Sequence, residues 1–240
     1  MTMPFATPHA APLYAALPYH YRNVTKISAY CRCDPKGLRQ FLPPDFEVVG
    51  DVCELFIMEA PDAGPLGSYN EAGLVIPARY GDLIGAHVAL EYVETDDSMA
   101  AGREIWGYPK KLADVPMTVT GNAVSAQVIR RGVQLMGMDF TPGGNAIEKP
   151  VMQPRLQVRS FPAADGPLPD CYQIISNQVT GFVLHDSIFG TVDLKVVSGP
   201  QDPLEDLGVI EVLGAELSRY DFLLGYGEVV KDLSPSKTKG

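Results

Sequence analysis

Apolar and polar residues alternate at every second position through much of this chain, the period of a strand with one buried face. His87–Glu94 sets Val88, Leu90 and Tyr92 on one face, and comparable runs cover Phe46–Met58, Leu74–Tyr80, Val115–Thr120 and Ala123–Arg130. Gly121-Asn122, between the last two, suits a hairpin turn. Further strands are predicted over Gln153–Arg159, Tyr172–Val179, Gly190–Val197 and Val209–Arg219, with turn clusters at 162–169 and 199–203 between them. Helical signals are scarce. One short helix is predicted from Asp34 as N-cap and Pro35 in the first turn to Leu42, with Leu38, Phe41 and Leu42 on its apolar side and Pro43-Pro44 as the stop. Pro4, Pro8, Pro12 and Pro18 make 1–23 an arm, and 234–240 reads as a frayed tail. No repeat and no clean linker divides the chain. It reads as a single β-rich α+β domain over 1–240, an antiparallel sheet or closed barrel with a few short helices.

Composition narrows the function. The chain has 240 residues, 46% hydrophobic and 20% charged, enough to bury a substantial core. A net charge of −10 argues against nucleic acid or an anionic membrane surface as partner, since both need surplus Lys and Arg. The Arg130-Arg131 pair is too small a patch to change that. The amino terminus lacks the basic start and apolar run of a signal peptide, and no segment has the charge-free length of a membrane helix. Cys31, Cys33, Cys53 and Cys171 form no disulfide framework and no metal-ligand spacing, which fits small buried thiols in a reducing cytoplasm. His9, His20, His87 and His185 are scattered, and Gly143-Gly144 lacks the lysine and helix start of a phosphate loop. No metal is expected.

The segment richest in chemistry is Gly102-Arg-Glu-Ile-Trp-Gly-Tyr-Pro-Lys-Lys-Leu-Ala113. An exposed lysine has a pKa near 10.4, so a neutral amine at pH 7 costs roughly 4.6 kcal/mol. Burial beside a second ammonium lowers that cost, which would suit one of Lys110 and Lys111 to carbonyl attack and imine formation. Pro109 restricts the backbone, Trp106 and Tyr108 are candidate apolar walls, and Arg103 with Glu104 is a candidate charged pair anchoring the segment. On spacing alone, a surface turn with two solvated lysines is the competing account.

Gly102–Leu112 resembles the signature of the acetoacetate decarboxylase family, an example of a catalytic lysine activated by a neighbouring cation. Leu66-Gly67-Ser68-Tyr69-Asn70-Glu71 with Ile76-Pro77 resembles that family's acidic loop and following strand. Arg32-Cys33-Asp34, Leu38-Arg39 and Pro43-Pro44 resemble its early strand-helix unit, and Asp202–Leu233 follows its carboxy-terminal pattern loosely. The resemblance implies the family's fold, Lys110 as Schiff-base lysine, Lys111 as the neighbour depressing its pKa, and Glu71 as catalytic glutamate. It also implies no cofactor, a small oxo-acid substrate and a homo-oligomer. Two positions depart from the pattern. The family's second glutamate falls on Phe56, and its early arginine falls on Val24. Glu54 shares the face of Phe56 only if no bulge intervenes. Arg22 fills the arginine role if the alignment shifts by two, and Arg79 is a further candidate for a substrate carboxylate, with a surface strand arginine as the plainer account. Decarboxylation of acetoacetate to acetone and CO2 leads. The alternatives are an aldolase-dehydratase using the same lysine on pyruvate and an aldehyde, and a family member that binds ligand without turnover.

Overall fold

The computed structural model describes residues 5–235. Its strands are β1 (Tyr19–Cys33), β2 (Glu47–Val48), β3 (Val52–Ala60), β4 (Tyr69–Tyr80), β5 (Leu83–Val93), β6 (Lys110–Leu112) and β7 (Met117–Thr120) in the first half. The second half adds β8 (Ala123–Arg130), β9 (Val133–Pro142), β10 (Arg155–Pro162), β11 (Pro169–Asn177), β12 (Thr180–Val196), β13 (Val209–Leu224) and β14 (Glu228–Asp232). Two short α-helices, α1 (Pro35–Gln40) and α2 (Asp96–Ala101), accompany them, with a π-helical turn over Gly102–Trp106 and 3-10 turns at Gly64–Leu66 and Leu204–Leu207. All strands join one sheet ordered β14-β11-β10-β5-β4-β3-β1-β13-β12-β9-β8-β7, with β2 on β4 and β6 on β5. The fold is the expected β-rich α+β type, but the path has two ends, so the sheet is not a closed barrel. Nor is it purely antiparallel: β5 pairs parallel with both β6 and β10.

Several elements differ from the reading by period. The 1–23 arm is shorter than expected, because β1 starts at Tyr19 and runs through the middle of the sheet, while Ala6 and Tyr14 of the arm are buried. Phe46–Met58 breaks into β2 and β3 at Gly50, whose φ of 77° turns the chain. Asp34 caps α1 by accepting from the Lys36 N–H at 2.9 Å. The α2 helix has no apolar stripe of its own to announce it. Gly121-Asn122 forms the β7–β8 turn as expected. Ser234 is tied down by the Tyr172 N–H at 2.9 Å, and residues 236–240 of the expected tail lie outside the described residues.

The sheet buries both faces, and this splits the interior. One cluster gathers Ile27, Ala29, Leu55, Ile57, Leu74, Ile76, Leu90 and Tyr92. The other gathers Tyr21, Val24, Phe56, Met58, Val75, Val88, Trp106 and Tyr108. Alternation assigns them: on β3, Leu55 and Ile57 face one way and Glu54, Phe56 and Met58 the other. The expected single face for Val88, Leu90 and Tyr92 is corrected here. Leu74 pairs with Leu90 but Val75 pairs with Val88, so Ala89 is an extra residue that switches the phase of β5. After that bulge Glu91, not Leu90, faces the side of Val88.

His87 locks β5 to β10 through Nδ1–H donated to the Leu156 carbonyl at 2.8 Å. Burial pushes its pKa down to about 4. An unfolded histidine near 6.5 binds a proton that the folded one refuses, so this contribution to stability is lost as pH falls from about 6.5 to about 4, reaching about 2 kcal/mol by pH 5. Urea unfolding at pH 7 and pH 5 should show a drop that His87→Gln largely removes. An equal drop in both proteins would assign the acid sensitivity to other groups.

Candidate active site

A cavity of about 570 Å³ opens within the second cluster, walled by β1, β3, β4, β5, β10 and β13 and by the segment from α2 to β6. The lysine motif forms one side of it for identifiable reasons. The Gly102 carbonyl accepts from the N–H groups of both Gly107 and Tyr108, which closes the π-helical turn. A Cβ on Gly102 would sit 2.6 Å from Lys110 Cδ, so only glycine lets the lysine stem pass. Gly107, at φ 85°, turns the chain into β6, and its own Cβ would meet the Val158 carbonyl at 2.4 Å. Arg103 donates to the Lys110 carbonyl at 3.2 Å and fixes the backbone there. Trp106 and Tyr108 line the cavity, anchored by bonds to the Gly225 carbonyl at 3.1 Å and to Asn177 Oδ1 at 3.0 Å.

Arg103 and Glu104 do not pair with each other, contrary to expectation. Both are exposed, and they brace separate elements: Glu104 accepts from the Tyr14 hydroxyl of the arm, and its carbonyl accepts from Arg159 at 2.6 Å.

Lys110 is buried and its Nζ lies 2.7 Å from Glu71 Oε2 and 3.5 Å from Ser98 Oγ. Glu71 in turn accepts from Tyr69 at 3.4 Å, which meets Tyr21 at 2.7 Å. Glu91, opposite Lys110 on the neighbouring strand, hydrogen-bonds Glu71. Burial, then the Glu71 charge, pushes the Glu91 acid well above the carboxylate range. Burial also pulls the Lys110 ammonium toward neutrality, but Glu71 and then Glu91 outweigh it and its pKa ends above the ordinary lysine range. The site therefore gathers the Lys110 amine and the Glu71 carboxyl in direct contact, with the Glu91 carboxyl beside them.

Lys111 plays no part in that cluster, which corrects the expectation that it depresses the pKa of Lys110. Adjacent strand residues point to opposite faces. Its Nζ is held on the far side by Asp202 Oδ1 and the Gln201 carbonyl, both at 2.7 Å. Burial opposes ionisation of Asp202, but the bond from Lys111 and its charge, with Tyr92 and Arg130, hold the carboxyl below its usual range. Lys111→Gln should leave both limbs of the pH–activity profile in place and lower stability by about 1 kcal/mol through the lost ion pair. A rise in the pH optimum would restore the neighbouring-cation account.

Both arginine candidates lie elsewhere. An irregularity between Tyr21 and Val24 turns Arg22 outward, where it pairs with Asp62 at 2.9 Å with 52% of its side chain exposed. Arg79 is exposed near the end of β4, opposite Glu47. Phe56 is on the cavity wall, its ring over Gly73, where a Cβ would come within 2.8 Å. The β1–β3 and β3–β4 registers are unbroken, so Glu54 does share its face and is buried in the same wall. It takes bonds from Lys26 Nζ and Ser28 Oγ, each at 2.6 Å, and Lys26 lies 4.7 Å from the Phe56 ring centre. Glu91, Lys26 and Arg155 are cavity residues that reading the sequence missed.

Among the described residues no His/Cys/Asp/Glu cluster could hold a metal, and no helix is long and apolar enough to cross a membrane.

Fold and site together place a buried amine and a carboxyl on the wall of a cavity sized for a small molecule. The family described as acetoacetate decarboxylase (ADC) matches residues 2–233, and the chain belongs to it. It is 27% identical over 236 residues to acetoacetate decarboxylase 2 of Mesorhizobium japonicum, covering 96% of this chain and 90% of that one. The acetoacetate decarboxylase structure from Legionella pneumophila superposes with a TM-score of 0.85 at 25% identity, covering 95% of this chain and 94% of the other. MppR, an enduracididine biosynthesis enzyme solved with the condensation product of pyruvate and imidazole 4-carboxaldehyde, shares the fold at 18% identity, with a TM-score of 0.83 and 98% of each chain covered.

Proposed function

We propose that this protein is a cofactor-independent Schiff-base lyase in which Lys110 attacks the ketone of a small oxo acid, and that its reaction is decarboxylation of acetoacetate to acetone and CO2. The observation that carries this reading is the buried Lys110 amine at 2.7 Å from Glu71 on the wall of an internal cavity. A neutral amine requires no second ammonium there. Moving one proton from Lys110 to Glu71 converts the ion pair into an amine beside a neutral acid, and filling the cavity with substrate favours that uncharged form by removing water. The amine then adds to the ketone, a neighbouring carboxylic acid supplies the proton with which water leaves, and a protonated imine results. Breaking the bond to the carboxylate carbon releases CO2 and sends its electron pair into the imine as an enamine. Protonation at carbon and hydrolysis free acetone and Lys110.

The test is incubation with acetoacetate, borohydride trapping, peptide mass analysis of the adduct, and a parallel assay for acetone. Adduct on Lys110 with acetone supports the reading, and absence of any adduct with any oxo acid in folded protein would sink it. A second reading, aldol condensation and dehydration through the same imine, is favoured by Phe56: no carboxylate stands there to repel the substrate carboxylate. Adduct without acetone, followed by condensation of pyruvate with an aldehyde, would select it.

A further inference from the structure

The cations around the cavity are matched to carboxylates with one exception. Lys110 has Glu71 at 2.7 Å, Lys26 has Glu54 at 2.6 Å, and Lys149 has Glu216 at 2.6 Å. Arg155 has no such partner. Its nearest carboxylate oxygen is Glu54 Oε2 at 3.9 Å, beyond hydrogen-bond reach, and its Nη1 finds only the Met152 sulfur, also at 3.9 Å. Glu54 is one carboxylate shared between two cations: its Oε1 takes the bonds from Lys26 and Ser28, and its Oε2 makes no hydrogen bond, so the Arg155 charge is left without a carboxylate of its own. Yet the Arg155 side chain is only 14% exposed. A guanidinium set in the cavity wall, with five donors and no oxygen acceptor within hydrogen-bond reach among the described residues, is an anion receptor awaiting its anion.

Its position is set by the backbone. Arg155 is the first residue of β10 and stands opposite Ala86 in the parallel contact with β5. The two strands come this close because Gly85 has no side chain, and a Cβ there would lie 2.2 Å from the Pro154 carbonyl. The contact brings Arg155 to the wall that carries Glu91 and Tyr108, on both of which its charge acts. No other arginine lines the cavity among the described residues.

We infer that Arg155 is the substrate-anchoring residue, holding the carboxylate of a monoanionic oxo acid while its ketone faces Lys110. The inference rests on the proposed imine chemistry for the second half of that statement only. One unmatched cation selects a single negative charge, so neutral ketones bind less well for want of the ion pair and dianions for want of a second cation. A cavity of 570 Å³ is within the range of about 300–1,000 Å³ typical of drug-sized ligands, so acids longer than acetoacetate also fit.

Two probes separate this inference from the imine reading. 3-Hydroxybutyrate keeps the carboxylate and has no ketone to attack, while 2,4-pentanedione has ketones and no carboxylate. Calorimetric titration of 3-hydroxybutyrate should show saturable binding to the wild type and about ten- to hundredfold weaker binding to Arg155→Gln, with Arg155→Lys between them. Formation of the conjugated enaminone between Lys110 and 2,4-pentanedione, read by its near-ultraviolet absorbance and by adduct mass, should change less than twofold in Arg155→Gln, which also reports that the variant is folded and Lys110 competent. No binding of 3-hydroxybutyrate to the wild type, equal affinity in the variant, or a matching loss toward the neutral dione would overturn the anchoring role. Binding that follows Arg155 in a protein that never forms an adduct would support the anchor and reject only the imine.

Discussion

Lys110→Met should leave no borohydride-trappable adduct and lower turnover by at least about ten-thousandfold, because no other amine can take its place at the ketone. Lys26 is bound to Glu54 and lies against Phe56, Lys149 is bound to Glu216, and Lys111 is on the opposite face with Asp202. Methionine keeps an unbranched stem against Gly102, so the π-helical turn and β6 should survive. The substitution also strands Glu71 without its cation in a buried site. A buried carboxyl that loses its partner cation is costly, so the variant should melt below the wild type while remaining folded. Acetone release, adduct mass and a thermal melt at pH 6 and pH 8 measure all three consequences. Retained turnover with an adduct on another lysine would refute the assignment.

Glu71→Gln should reduce kcat by about a hundred- to ten-thousandfold, the span typical of a lost general acid-base. Its second effect has the opposite sign for the lysine itself. Glu71 is the charge that does most to hold the Lys110 pKa above the ordinary range against burial, so the amide variant should carry a less basic amine. Lys110 should therefore react faster with a small acylating reagent near neutral pH while turning over substrate more slowly. A loss of turnover with no change in acylation would mean that Glu71 merely shapes the cavity. The stability linkage points the same way. A raised lysine pKa stabilises the fold at pH values below about 10.4 and the effect fades as pH climbs through the folded value, so removing Glu71 withdraws that support across the neutral range.

The site was legible where chemistry and geometry are local. Gly102, Gly107 and Pro109 around a double lysine announce a tightly folded segment, and the structure uses both glycines where a Cβ has no room. Glu71 lies on the strand that its loop introduces, and Glu54 shares a face with Phe56 because β3 carries no bulge. The direction of Lys111 was also available, since neighbouring residues of a strand diverge, but it had to be recognised that Lys110 begins a strand. Glu91 was not legible. One extra residue at Ala89 reverses the phase of β5, and no residue type there marks the bulge.

By itself the sequence determined the strand-rich class, the family and the two residues, Lys110 and Glu71, that meet on the cavity wall, because each is marked by residue type and spacing within its own short segment. The tertiary structure alone decided the company they keep: which lysine faces the cavity, that two acids rather than a second ammonium surround it, and that Arg155 rather than Arg22 or Arg79 lies within it. Those outcomes depend on strand register, a bulge and one parallel contact between distant segments. Electrostatics is set by distance through space, and only the folded sheet sets that distance.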